Sequence, residues 1–490
     1  SNPKTHAINM TSNAIMALMR PMEQYMGGVL TGNKNARIEA LSTAAGIVKY
    51  YQDSFMMARE AFRKSDSVLD RNNFKVDLQR NAFNKKAGYA TKTVELPTRF
   101  LSAEDEFFKQ LNYRAKLYGM AVAEGVKAGK SKKKVFRTAD GRKYSELDAF
   151  VEKRFNEGFF PNKEARNKVA LDYAQENTFT KALGKGTPGK FVQDMVNGVP
   201  FLRQFMPFVR TPINIMRAVQ DRTPLGFMRK QFRDEYFSPD ANIRAAAKGK
   251  LALGSSLFLM SGILAYNNLL TGSIPKDKNL RRQKFDTGWR PYSLKLGDKY
   301  YSYERLDPFG MFLGIAADIH EIALEVSEDE RNQLAEAGML YIMSKMDVDD
   351  YTTIGGGTAA AIAKNISSKT YMKSLTDILY AASSGDPREW KKYGLTKGGS
   401  FIPNVFKGAM NDPLYRDVRN LTDTLKTRVP FIGDATPSFN ALGETRSKNQ
   451  SWWDSFLMPV TVSEDVDDKV MKEFDKLGIG FEPLGTKVGY

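Results

Sequence analysis

Residues Leu251 to Pro275 form a run of 25 without a charged side chain, LALGSSLFLMSGILAYNNLLTGSIP, bracketed by Lys248, Lys250, Lys276 and Lys278. Such a run folds as a core helix of a large helical protein, as a permanent transmembrane span, or as a helix that enters a membrane after a conformational change. Its strongly apolar part, Leu251 to Tyr266, is shorter than the roughly 20 residues that a bilayer crossing takes. Gly254, Ser255, Ser256, Ser261 and Gly262 allow the close packing used by membrane helices. Burial against other helices is the expectation for the folded protein. On insertion, Leu251, Leu253, Leu257, Phe258, Leu259, Ile263 and Leu264 would meet lipid, with the flanking lysines near the headgroups.

Around this run helical periodicity prevails. Apolar residues recur every three or four positions over 7–30 and 36–65, as in Ile38, Leu41, Ala45 and Val48. Met10, Met16, Met19, Met22 and Met26 stripe the first segment, which points to an adaptable core or a subunit interface. A third long helix is expected after Pro97, from Ser102 to Lys127, with Asp105 and Glu106 in its first turn. Further helices are expected over 145–156, 162–182, 188–196, 308–326 and 327–346. The period changes to two from Tyr292 to Tyr303, on either side of Gly297-Asp298, as in a β-hairpin. Beyond about residue 395 Pro, Gly, Asn and Asp accumulate. The fold class is therefore mainly α: an elongated multi-helix assembly with a small β-hairpin and a loop-rich C-terminal tail. Four regions follow: N-terminal helices over 1–130, basic helices over 131–250, the apolar helix, hairpin and further helices over 251–395, and the tail over 396–490.

Charge is divided unevenly. Residues 1–300 carry 52 Lys and Arg against 28 Asp and Glu, and residues 301–490 carry 21 against 28. The first part suits phosphates, whether of nucleic acid or lipid, and the second suits protein, although solubility alone accounts for the same charge. Candidates for phosphate contact are Lys132, Lys133 and Lys134 in a basic loop or hairpin closing at Asp140-Gly141. Arg203, Arg210, Arg217 and Arg222 join them. They recur at about two helical turns and share one face if a helix runs on through Pro207 and Pro212.

Catalytic chemistry finds little to use. There is no cysteine, and His6 and His320 are the only histidines, which excludes thiolate sites and histidine-rich metal centres. Gly184 to Phe191 (GKGTPGKF) satisfies G-x-G-x-x-G, but no strand precedes it and Phe191 stands where a phosphate loop needs a hydroxyl. An interhelical turn is the expectation there. Gly355-Gly356-Gly357 has no adjacent lysine, and Asp347, Asp349 and Asp350 lack the closing Glu of a calcium loop. Neither an enzymatic activity nor a metal or cofactor is expected.

Several short phrases, in order, resemble the large internal virion, or DNA-ejection, proteins of podovirus-like phages and the related large polyvalent protein family. They are Ser1-Asn2-Pro3-Lys4-Thr5-His6 with Asn9 and Asn13, then Phe205-Met206-Pro207-Phe208-Val209-Arg210-Thr211-Pro212-Ile213-Asn214, and then Asp307-Pro308-Phe309-Gly310 after the apolar run. The tail adds Ile402-Pro403, Asp412-Pro413 with Arg416, Arg428-Val429-Pro430 with Gly433, and Pro437 with Gly443. The resemblance implies the C-terminal module of a longer polypeptide, consistent with a first residue that is not Met.

It also implies a structural protein stored in the capsid near the portal and ejected with the genome, forming part of a conduit for DNA across the host envelope. Its partners would be copies of itself in a ring, other ejection proteins and the portal, duplex DNA without sequence preference, and the host inner membrane. A DNA-associated effector of a phage or mobile element, acting after entry, is the alternative, and an unrecognised enzyme domain is a third reading.

Overall fold

The computed structural model describes residues 3–64, 67–70, 96–137, 143–159, 163–184, 186–198, 209–273, 275, 278–325, 365, 412–418, 420–429, 433–439, 443–448, 458–465 and 469–477. They are mainly helical, with short antiparallel strands. Two compact units divide them. One holds the described residues from Met10 to Leu257, the other those up to Asn9 and from Phe258 onward.

The first unit begins with α1 (Pro3–Leu30, from Met10), α2 (Lys34–Lys49), α3 (Tyr51–Lys64) and α4 (Leu96–Lys127). A short hairpin follows, β1 (Val135–Arg137) and β2 (Lys143–Ser145), then α5 (Glu146–Glu157), α6 (Lys168–Asn177) and α7 (Pro188–Gly198). After these come α8 (Arg210–Gln220), a 3-10 turn at Pro224–Met228, α9 (Lys230–Tyr236) and α10 (Ala241–Tyr266, to Leu257).

Local chemistry sets the boundaries. Asn33 accepts a hydrogen bond from the Ala36 amide at 3.0 Å to open α2, and Ser145 and Asp148 form a reciprocal capping box on α5. The helix expected over 162–182 is shorter because Asn167 caps it late and Phe179 takes a φ of 57°, which ends it. The helix expected over 36–65 is two helices, parted at Tyr50. Pro212 does not break α8. It sits in the first turn, where its missing N–H has no intrahelical acceptor to lose.

Helix α4 organises this unit. Its residues 108–117 are all buried, so it has no solvent face there, and α2, α3, α5 and α6 pack around it. That packing carries across residue 130, where a division between regions was expected. Helices α1 and α10 approach backbone to backbone. A Cβ on Gly27 would stand 1.7 Å from the Ala245 carbonyl oxygen, and one on Gly249 would stand 1.8 Å from that of Glu23.

In the second unit β3 (Ser293–Leu296) and β4 (Lys299–Ser302) form the hairpin expected around Gly297-Asp298, with Gly297 at a φ of 61°. A third strand, β5 (Val462–Glu464), pairs with β4, and Lys295 meets Asp465 at 3.2 Å. Helices α11 (Lys278–Asp286), α12 (Phe309–Glu325), α13 (Leu421–Lys426) and α14 (Lys469–Lys476) complete the described elements. The residues after α10 are pinned to α12. Asp318 accepts from the Ser273 amide at 2.8 Å and the Tyr292 hydroxyl at 3.1 Å, and Glu321 accepts from the Gly272 amide at 2.7 Å. Ala265, Leu270, Tyr292, Tyr303 and Ala317 form the apolar core beside them. The helix expected over 327–346, the aspartates 347, 349 and 350, the glycines 355–357 and the 140–141 turn lie outside the described residues.

Candidate functional site

In the first unit a subset of the charged side chains points inward, and several large apolar ones point out. Along α1 from Met10 to Leu30 the exposed positions are Met10, Ala14, Leu18, Met22, Tyr25, Val29 and Leu30, none of them charged. Asn13, Arg20, Glu23 and Gln24 are buried on the same helix. On helix α2 Leu41, Ala44, Ala45 and Val48 are exposed together with Lys34 and Lys49, while Glu39 and Thr43 are buried beside Ala36 and Ala40. Exposed apolar side chains continue on α3 at Tyr51, Phe55 and Met56, with Lys49 and Gln52 exposed between the two groups. Of the series Ile38, Leu41, Ala45 and Val48, only Ile38 packs inward.

The buried charges are paired, which is the condition for tolerating them. Lys109 lies 2.8 Å from Asp105, and Lys116 bonds Glu39 and, at 3.0 Å, Gln24. Glu106 accepts from the Ser67 hydroxyl at 2.6 Å, the Leu69 amide at 3.0 Å and the Gln110 amide group at 2.8 Å. Burial nonetheless pushes its carboxyl up from the ordinary range.

A cavity of about 50 Å³ opens beside another set of polar groups in the first unit. Its walls include Arg20 from α1, Glu176 from α6, Lys181, Asn214 and Arg217 from α8, Asp221, Arg222, Arg229 and Lys250 from α10. Asn214 holds the wall in place by donating to the carbonyls of Phe179 at 3.0 Å and Lys181 at 2.7 Å. Glu176 lies 2.8 Å from both Arg20 and Lys181. Burial opposes its ionisation, but Lys250, Arg20 and Lys181 outweigh that and hold the carboxyl well below the usual range. Burial also works against the Arg20 charge, yet Glu176 and Glu23 raise its guanidinium above the ordinary value.

The structure brings some of the expected phosphate contacts together and removes one from the surface. Lys132, Lys133 and Lys134 are all exposed on the loop before β1. Arg210 and Arg217 are half-buried on α8, and Arg203 lies outside the described residues. Arg222 is a correction. It follows the end of α8, is 2% exposed, and grips the Glu23 carboxylate with Nε at 2.6 Å and Nη2 at 3.1 Å, so it cannot share an outer face with the other arginines. Arg217 and Arg222 instead meet Arg20, Lys181, Arg229 and Lys250 in the cavity wall, residues separated by up to 230 positions that no local pattern connects.

The apolar helix α10 is also a correction, because it is not buried by other helices along its length. Among the described residues it is the one helix long and apolar enough to cross a membrane by length and composition, with a mean hydropathy of 1.3 over 18 residues, and 28% of that window is buried. Leu259 and Ile263 are exposed, at 68% and 60%, together with Met260 and Tyr266, which sequence reasoning did not single out. Leu251, Leu253, Leu257, Phe258 and Leu264 are half-buried. Gly254 packs against the Arg222 backbone, whereas Gly262 has open space around it.

Among the described residues no group of histidine or acidic side chains converges on a metal-sized site. Thr187 caps α7 by accepting from the Lys190 amide at 3.3 Å, so the glycine-rich stretch from Gly184 is a helix entry. Comparison with family models, curated proteins and solved structures finds no match to this chain.

Proposed function

We propose that this chain is a structural protein of a phage virion, held near the portal inside the capsid and ejected with the genome to form part of a DNA conduit across the host envelope. One observation carries the reading: the outward row of α1 is apolar, and Leu41, Val48, Tyr51, Phe55 and Met56 are exposed on α2 and α3, while Arg20, Glu23 and Glu39 are buried. Large apolar side chains exposed in such number along helix faces mark an interaction site. In the stored state copies of the chain cover it, side by side in a ring. After ejection the exposed side chains of α10, Leu259, Met260, Ile263 and Tyr266, meet the inner membrane. The phrase order shared with ejection proteins supports the same reading, as does the basic excess of residues 1–300, which would face DNA. The exposed lysines 132–134 also suit an effector that binds DNA as a monomer after entry.

Mass measurement at high protein concentration, in water and in detergent, tests the assembly. The parent chain is expected as an oligomer, and Leu18→Glu with Met22→Glu as a folded monomer, because both side chains are exposed. A parent chain that stays monomeric in both solvents overturns the ring, and salt-sensitive DNA binding by that monomer would favour the effector.

A further inference from the structure

Four aromatic rings gather in the first unit where the 3-10 turn at Pro224–Met228 meets α9. The Phe227 centroid lies 5.5 Å from that of Phe232, 4.9 Å from that of Tyr236 and 6.5 Å from that of Phe237. Phe232 is fully buried and anchors the group. Phe237 stands apart in exposure. It follows the last residue of α9, is 71% exposed, and meets Tyr236 edge to face at 5.1 Å. Its plane lies at 75° to Tyr236 and 43° to Phe227, so neither ring stacks on it and its π-face is open to a planar group.

Three cations are held around these rings by neutral groups. Arg233 donates Nη1 to the Phe227 carbonyl at 2.6 Å, and Arg244 donates Nη1 to the carbonyl of Ser238, the residue after Phe237, at 2.6 Å. The Lys248 ammonium lies 5.4 Å from the centroid of Tyr236. A backbone carbonyl or a π-face orients a cation without cancelling its charge, and each of these groups has further N–H donors to offer. Two carboxylates nearby have other tasks. Glu235 pairs with Lys250 at 3.0 Å, and Asp240 accepts from the amides of Asn242 at 2.7 Å and Ile243 at 3.1 Å as α10 begins. Asp234 is exposed on α9. An open ring beside oriented donors supplies the two contacts that single-stranded nucleic acid takes, stacking for a base and charge for its phosphates. Lipid insertion would need an apolar patch, whereas here Phe227 and Tyr236 are half-buried and Phe237 is the one strongly exposed ring of the four.

We propose that Phe237 is a stacking platform for a base of single-stranded nucleic acid, with Arg233, Arg244 and Lys248 meeting the neighbouring phosphates. Bases in a duplex are already stacked on one another, so the platform selects single strands. The site is separate from the duplex contacts expected of Lys132, Lys133 and Lys134. It does not depend on the ejection reading, since it uses only the geometry of the first unit.

Fluorescence anisotropy of the full chain with a short labelled oligo(dT) tests the proposal, beside an abasic strand of equal length that keeps every phosphate and lacks every base. The parent protein should bind oligo(dT) more tightly than the abasic strand. Phe237→Ala, at an exposed position, should weaken oligo(dT) binding by about 5- to 150-fold, the scale of one base stacked on an aromatic side chain. It should leave binding of the abasic strand and of a duplex unchanged, and Phe237→Trp should bind oligo(dT) as the parent does. Lys248→Gln should lower the slope of log affinity against log salt by about 0.7, the share of one phosphate contact on a single strand. Equal binding of oligo(dT) and the abasic strand by the parent would overturn the proposal. So would a folded Phe237→Ala variant whose oligo(dT) affinity matches the parent's. If that variant instead loses flotation on anionic vesicles while keeping its oligo(dT) affinity, the ring belongs to a lipid contact and the proposal fails.

Discussion

Replacing Leu259 with Asp separates the two lives expected of α10. In the folded protein Leu259 is 68% exposed, so the substitution should change stability by no more than about 0.5 kcal/mol. In a bilayer the same residue would sit at the middle of the apolar stretch from Leu251 to Tyr266. There Leu favours insertion by about 0.3–0.6 kcal/mol and Asp opposes it by about 2.5–3.5 kcal/mol, a difference of roughly 3–4 kcal/mol. At about 1.4 kcal/mol per factor of ten, membrane partition should fall by about 10²–10³. The assay pairs thermal unfolding in water with flotation on vesicles and release of a trapped dye. The expected result is an unchanged melting temperature with binding and release lost. Equal binding and release by a folded variant would show that α10 is not the membrane element. A melting temperature lowered by many degrees would contradict the placement of Leu259 on the outside.

Three further outcomes follow from the structure. Replacing Lys132, Lys133 and Lys134 together by Gln should weaken duplex DNA binding and lower the slope of log affinity against log salt by about 2.7, at about 0.9 per phosphate contact, which salt-dependent binding curves measure. Gly249→Ala should destabilise the first unit by about 1–3 kcal/mol in denaturant unfolding, because its new Cβ would fall 1.8 Å from the Glu23 carbonyl oxygen and force α1 and α10 apart. Glu176, whose folded carboxyl is held below its ordinary value of 4.5, contributes stability that is present above pH 4.5 and is lost as pH falls beneath it. Glu176→Gln should therefore flatten the acid side of the stability curve, as unfolding at a series of pH values would record.

The helices and the hairpin were legible in the sequence because each is a local pattern. Ser145 with Asp148 announces the start of α5, and Gly297-Asp298 between alternating residues announces the turn of the hairpin. The cavity was not legible. Arg217 and Arg222 stood out as members of a periodic series, but Arg20, Lys181, Arg229 and Lys250 join them only through tertiary packing. The role of Arg222 depends on Glu23, 199 positions away, and no spacing rule reaches that far.

Periodicity also left open which way each face points. Leu41, Ala45 and Val48 recur as they would on the inner face of a soluble helix, yet they lie outside, and Glu39 and Thr43 lie within. The physical reason is that a hydrophobic stripe marks the side that avoids water, not the side that meets the same chain. In a protein stable as a monomer those sides coincide. They part when another copy or a lipid covers the stripe, and the polar face is then free to turn inward wherever its charges find partners, as Lys116 does with Glu39 and Arg222 with Glu23. This also fits the pairing on α4: its buried cations could not sit inside without Asp105, Glu39 and Asp53 to meet them. Beneath the stripe the interior is mixed, with Met16, Met19, Phe108, Leu111 and Leu117 buried beside these ion pairs, so coverage of the outer stripe should add to the stability that an apolar core already supplies.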